Sequence, residues 1–146
     1  MNETKAALQV ILADTFVFYF KVHTYHWNVE GANFGEMHEF FGGIYEDLYG
    51  TVDMWAEELR ALDEYAPGSL MDLYNRKNIH EDAARPTDVR TMLTNIQSAN
   101  DIMIANLDVL FAVATKENIQ NVADIAASRL DVHRKTGWMV KSYLKG

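Results

Sequence analysis

The sequence predicts an all-α protein, a bundle of four long helices with a long connection between the second and the third. Three observations carry this prediction. Apolar residues recur at intervals of three and four over two stretches of nearly thirty residues each. Only two prolines occur, Pro67 and Pro86, both in the middle of the chain. Turn-forming residues cluster there too, in EYAPGS and AARPTD.

The first helix is expected over residues 4–30. Leu8, Leu12, Phe16, Tyr19, Val22 and His26 fall on one helical face, and Gly31 stands where a helix stop belongs. The second is expected over 34–63, with Met37, Phe41, Ile44, Leu48, Val52, Trp55, Leu59 and Leu62 on one stripe. Residues 64–86 form a connection, within which SLMDLYNRK reads as a short helix capped by Ser69. Thr87 or Asp88 can cap a third long helix running to about 115, and a fourth runs from about 118 to 144. One crossover among four helices of roughly 40 Å is the layout of ferritin-like four-helix bundles. No internal repeat, low-complexity segment or linker divides the chain, so a single domain over 1–146 is expected.

Composition narrows the chemistry. A chain of 146 residues can bury a core without disulfides, and with no cysteine neither a disulfide framework nor a thiolate metal site exists. The net charge of −8 argues against nonspecific DNA binding through the body of the protein. MNETKAALQV lacks the layout of a signal peptide, and no apolar run is expected to reach the roughly 20 residues that span a bilayer. A cytoplasmic location is the expectation.

A second stripe on the second helix needs its own account. His38, Gly42, Glu46, Gly50, Asp53 and Glu57 follow one another at steps of four or three. Glycine in a helix interior costs about 1 kcal/mol relative to alanine, so Gly42, Gly43 and Gly50 call for a reason, and close approach of another backbone is the usual one. Asp53 and Glu57, one turn apart, can grip one cation, and carboxylates with imidazole suit divalent iron, zinc or manganese. His38 lies fifteen residues before Asp53, roughly 22 Å along a straight helix, too far to share an ion within one chain. Two copies of this helix packed antiparallel about a two-fold axis remove the difficulty. His38 of one copy then faces Asp53 and Glu57 of the other, and His26 reaches the same place across a short turn.

These residues resemble the Dps family, the mini-ferritins named for DNA protection during starvation. YHWNVEGANFGEMHEFF, DMWAEELRAL and the H-x-K-x-x-W-M pattern of His133, Lys135, Trp138 and Met139 carry the resemblance over almost the whole chain. It implies a hollow dodecamer that binds ferrous iron at sites shared across two-fold interfaces. It also implies oxidation of that iron, preferably by hydrogen peroxide, and storage of ferric mineral, which protects against oxidative damage. His26 and His38 match the family's iron ligands from one subunit, and Asp53 and Glu57 those from its partner. Trp27 matches the tryptophan beside the site. Asp124 matches a position that often lines the family's pores, and Asp131, two turns on, can face the same channel.

Two departures stand out. The family usually has an aspartate where this chain has Gly42, so a second metal should bind weakly or elsewhere, with Glu46 a distant substitute. DNA-binding members often carry a lysine-rich terminal extension, whereas here the first ten residues hold only Lys5 and the C-terminal end only Lys141 and Lys145. DNA binding through tails is not expected, although divalent cations can bridge acidic cages to DNA.

Taken singly, each residue has a plainer reading: His26 as a core histidine, His38 as a surface residue, Asp53, Glu57, Asp124 and Asp131 as solvated charges. Together, at the family's spacing, the first four read as a metal site. His23, one turn before His26, makes H-x-x-H without an indicated carboxylate, and His80 and His133 read as structural. Iron held by neutral imidazole and ionised carboxylate should be released by acid. Slow oxidation with dioxygen and faster oxidation with peroxide are expected. A di-iron enzyme with Glu-x-x-His motifs inside one chain is disfavoured, because no glutamate here has a histidine three residues on. A cage-forming DNA-protecting or structural protein with weak or lost ferroxidase activity is the alternative that Gly42 leaves open.

Overall fold

The chain folds into five helices in a computed structural model that describes residues 1–82 and 88–146: α1 (Asn2–Asn28), α2 (Phe34–Ala61), α3 (Leu70–Arg76), α4 (Val89–Lys116) and α5 (Gln120–Leu144). The four long helices form the bundle, and the short α3 lies in the connection between α2 and α4, as the sequence predicts. The helix ends fall within two residues of the expected positions at most termini. Local chemistry sets several of them. Ser69 caps α3 by accepting the Asp72 N–H at 3.1 Å, and Asp88 caps α4 by accepting the Thr91 N–H at 2.7 Å. The other candidate cap, Thr87, and most of the AARPTD turn lie outside the described residues.

The C-terminal ends of α2 and α4 close in the same way. Asp63 (φ 63°) and Asn118 (φ 61°) adopt left-handed backbone just past each helix. The next amides return to carbonyls of the last turn, Glu64 to Leu59 at 3.0 Å and Ile119 to Ala114 at 2.8 Å. At α1 the expected stop differs. Val29, not Gly31, ends the helix by turning to extended backbone, and Gly31 (φ 116°) makes the reversal two residues later.

The apolar stripe of α2 faces the core as predicted, with Met37, Phe41, Ile44, Leu48, Trp55 and Leu59 buried and Val52 and Leu62 partly buried. For α1 the single predicted face is too narrow. This helix packs against α2, α4 and α3 and buries most of its circumference, including Ile11, Ala13, Phe18 and Tyr25, while Phe16 and Tyr19 are only half-buried. The length of α1 corrects a further expectation: by length and composition it is apolar enough to cross a membrane, while more than half of its apolar window is covered by the rest of the bundle.

Polar side chains join the layers. The buried Asp14 accepts the Asn78 and Ile79 amides at 2.7 and 2.8 Å and the Asn106 side chain at 2.7 Å, fastening the connection and α4 to α1. Burial raises its carboxyl above the ordinary range, against the pull of those donors. Lys21 pairs with Asp82 at 2.5 Å, and the Tyr25 hydroxyl donates to the same carboxylate. Arg129 of α5 grips Asp47 of α2 through two bonds, at 3.0 and 2.7 Å.

Candidate metal centre

The turn at 29–33 lays the end of α1 beside the start of α2, and this brings His26 and His38 together. Their rings stack, with centroids 3.7 Å apart and planes 16° from parallel. His26 Nδ1 lies 2.6 Å from the His38 carbonyl oxygen, and His38 Nδ1 lies 2.7 Å from the His26 carbonyl oxygen. A carbonyl only accepts, so in both rings Nδ1 carries the proton and donates. That fixes which tautomer the neutral ring takes, the one whose lone pair is on Nε2. A backbone-anchored Nδ1–H with Nε2 left to ligate is the usual arrangement of a metal-binding histidine. The bonds also serve the fold, because His26 sits in the last turn of α1, where carbonyls lack helical partners.

Around the pair lies an aromatic cluster that periodicity alone did not reveal. Tyr45 stands 5.1 Å from His26 and stacks on His23 at 3.9 Å, and Phe34 stacks on His38 at 5.1 Å (all centroid distances). Tyr19 and His23 share a hydrogen bond of 2.9 Å. Its signal was in the sequence as an i, i+4 pair on one helix. Burial, and secondarily the neighbouring His26, lower the His23 pKa. Trp27 is 55% exposed and contacts His23 (4.3 Å) and Phe20 (6.2 Å).

Asp53, Glu57 and Glu46 are exposed on α2. The helix runs unbroken from Phe34 to Ala61, so the roughly 22 Å between His38 and Asp53 persists in the folded chain. Among the described residues no three His, Asp or Glu side chains converge within one chain. The close approach expected at the glycines occurs within the chain only at Gly42, and a side chain makes it. A Cβ there would stand 3.2 Å from His26 Cε1 and Nδ1, whereas at Gly43 and Gly50 it would meet nothing. Asp124 and Asp131 are exposed on α5, and Asp131 pairs with Lys135 at 3.2 Å.

His133, by contrast, is a buried structural residue. Its Nδ1–H donates to Asn100 Oδ1 at 2.9 Å, and its Nε2 accepts from Arg129 at 3.1 Å. Burial and the Arg129 charge push its pKa down to about 3.

A ferritin-like domain family model matches residues 5–146. The chain belongs to the ferritin-like family. Its resemblance to Dps is borne out by the proteins it matches. A DNA protection during starvation protein of Brevibacillus brevis is 26% identical, with 92% of this chain and 89% of that protein covered. The crystal structure of the Dps protein from Vibrio cholerae O1 superposes with a TM-score of 0.94 at 24% identity, covering 98% of this chain and 89% of that one. An uncharacterised low temperature-induced protein of Nostoc is 28% identical, over 92% of this chain and 76% of the relative.

Proposed function

We propose that this chain is the subunit of a mini-ferritin. It binds ferrous iron at sites shared between two copies, oxidises it with hydrogen peroxide in preference to dioxygen, and stores ferric mineral inside a hollow cage. The observation that carries this reading is the reciprocal bonding of His26 and His38. It presents two imidazole Nε2 lone pairs at one place while committing both Nδ1 atoms to backbone. Asp53 and Glu57 of a second copy supply the hard oxygen ligands that favour the ferric product. Two ferrous ions deliver two electrons to one peroxide, and two protons complete two waters. Peroxide and ferrous iron are thereby consumed without releasing a one-electron oxidant. The match to a ferritin-like domain and the Dps fold support the assembly, as do the exposed Phe20, Leu70, Met71 and Tyr74, which border an apolar groove between α1 and α3. A pore-lining role for Asp124 and Asp131 belongs to the same proposal, as do a dodecameric cage, a cytoplasmic location and zinc as a competing ion.

Two experiments test it. In the first, the metal-free protein is loaded anaerobically with ferrous iron and pulsed with peroxide or with dioxygen. Ferric absorbance should rise faster with peroxide, and iron should elute with a large particle. Equal or faster oxidation by dioxygen counts against the oxidant preference. A large particle that oxidises no faster than protein-free buffer points to the second reading, a cage whose ferroxidase chemistry is lost. The second experiment co-assembles His38→Ala chains with Asp53→Ala chains. A shared site predicts that each mixed pair regains one intact site of its two; no recovered ferrous binding would sink the shared arrangement.

A further inference from the structure

His23 and its aromatic neighbours take no part in the iron ligation proposed above, yet they are built against it. The Tyr19 hydroxyl lies 2.9 Å from His23 Nδ1. A phenol is a far stronger acid than a neutral imidazole N–H, so Tyr19 donates and His23 accepts. Burial, with His26 second, lowers the His23 pKa, which keeps the ring neutral and able to accept at neutral pH. A phenol gives up an electron readily only when its proton can leave with it. Tyr19 has that proton acceptor in place. Among the described residues no base is hydrogen-bonded to Tyr45 or Tyr49. From Tyr19 the rings run without a gap to the proposed ligand His26. The Tyr19 and His23 centroids are 5.4 Å apart, His23 stacks on Tyr45 at 3.9 Å, and Tyr45 stands 5.1 Å from His26. A single electron tunnels readily across so short a packed path.

The ligand set gives this pair a task. Two imidazoles and two carboxylates, His26, His38, Asp53 and Glu57, serve one ferrous ion well and two ions poorly. Position 42, on the same stripe of α2, is glycine and adds no ligand. Peroxide takes two electrons on its way to two waters, and one ferrous ion gives one. Left there, the reaction ends in a hydroxyl radical. We infer that Tyr19 supplies the second electron and His23 receives the proton that Tyr19 releases, so that a site holding one iron completes the reduction of peroxide. The inference rests on the proposed metal centre and says how it works with four ligands. In the first half, one ferrous ion and Tyr19 each lose an electron. Peroxide and two solvent protons become two waters, and the Tyr19 proton moves to His23 Nδ1. The products are ferric iron, a neutral tyrosyl radical and an imidazolium. In the second half, the next ferrous ion gives its electron to the radical, and the proton returns from His23 to the Tyr19 oxygen. The sum is two ferrous ions oxidised, one peroxide and two protons consumed and two waters formed.

The test uses the assembled protein, loaded anaerobically with one ferrous ion per chain, mixed with peroxide and frozen within the first turnover. Electron paramagnetic resonance should show a tyrosyl radical, recognised by its narrowing when ring-deuterated tyrosine is incorporated. Tyr19→Phe should lose that signal, and hydroxyl radical caught by a spin trap should rise several-fold. His23→Gln, which keeps a polar side chain but no base, should lower the radical yield. Tyr49→Phe, whose ring lies 4.8 Å from Tyr19, should match the parent. An anaerobic Co(II) titration followed by visible absorbance should be the same in all four proteins, which separates loss of the electron donor from loss of metal binding. A tyrosyl signal that survives Tyr19→Phe would overturn the assignment, as would a parent signal that responds to deuterated tryptophan and not to tyrosine. A full radical yield in His23→Gln would overturn the proton path. A parent that oxidises its iron with no organic radical, or a Tyr19→Phe chain that loses Co(II) binding, would sink the inference while leaving the metal centre standing. A parent that neither binds Co(II) nor oxidises iron would instead strike the metal centre itself, and the inference with it.

Discussion

His133 and the His26–His38 pair hold their imidazoles in the same way at one nitrogen and in opposite ways at the other. All three rings donate from Nδ1, His133 to the Asn100 side chain and the other two to backbone carbonyls. At His133 the second nitrogen is filled by Arg129. Among the described residues no such donor reaches His26 or His38. Position explains the difference: His133 faces the bundle interior between α4 and α5, and the pair sits at the edge where α1 turns into α2. Residue type alone therefore does not decide which histidine can meet a metal. What decides it is whether a cation of the protein's own reaches Nε2 first.

The comparison can be broken from the His133 side with acid. An unfolded histidine titrates near 6.5, and the folded His133 near about 3. Between those values the unfolded chain binds more protons, so the contribution is complete above pH 6.5 and is lost progressively as pH falls toward 3. The loss is on the order of a few kcal/mol across that window. Denaturant melts at stepped pH should show it, and a His133→Gln variant should flatten the slope. An unchanged slope would place the acid sensitivity elsewhere.

A smaller effect follows from emptying the second nitrogen. Arg129→Ala removes both bonds to Asp47 and leaves His133 Nε2 buried without its donor. It should cost about 2–3 kcal/mol, discounted because Asp47 is 42% exposed. Chemical denaturation measures the loss, and a change below 0.5 kcal/mol, roughly the level of a neutral surface substitution, would refute it. Co(II) binding should be unaffected.

The smallest stability effect belongs to the pair itself. His38→Gln gives up one imidazole bond at a half-exposed turn and should cost roughly 1 kcal/mol or less. Its effect should fall on metal affinity instead. A variant that melts far below the parent yet keeps its affinity would exchange the roles assigned to the two regions.

The sequence carried the fold through features that act locally. The stripe of α2, the caps at Ser69 and Asp88 and the turn-rich connection are all set by neighbours within a few residues. The burial of α1 was less legible because three helices cover it. Side chains such as Ala13, Asp14 and Lys21 are then buried off the predicted face, and the 3.6-residue pattern is blurred. At the candidate site, the meeting of His26 and His38 across a short turn was readable, as was the separation of His38 from Asp53 along one helix. The reciprocal carbonyl bonds were not, because they depend on how the 29–33 turn sets two helices side by side. The same holds for Gly42, whose spatial neighbour is sixteen residues away.

Asp14 ties more than layers together. Its carboxylate holds the amides of Asn78 and Ile79, which belong to no helix and would ordinarily trade their protons with solvent quickly. Those two protons can leave only when the Asp14 bonds open, and Asp14 is buried in the central helix. The stretch after α3 is thus irregular in shape yet shares the slow clock of the core, so its hydrogen exchange should follow global unfolding and not local fraying.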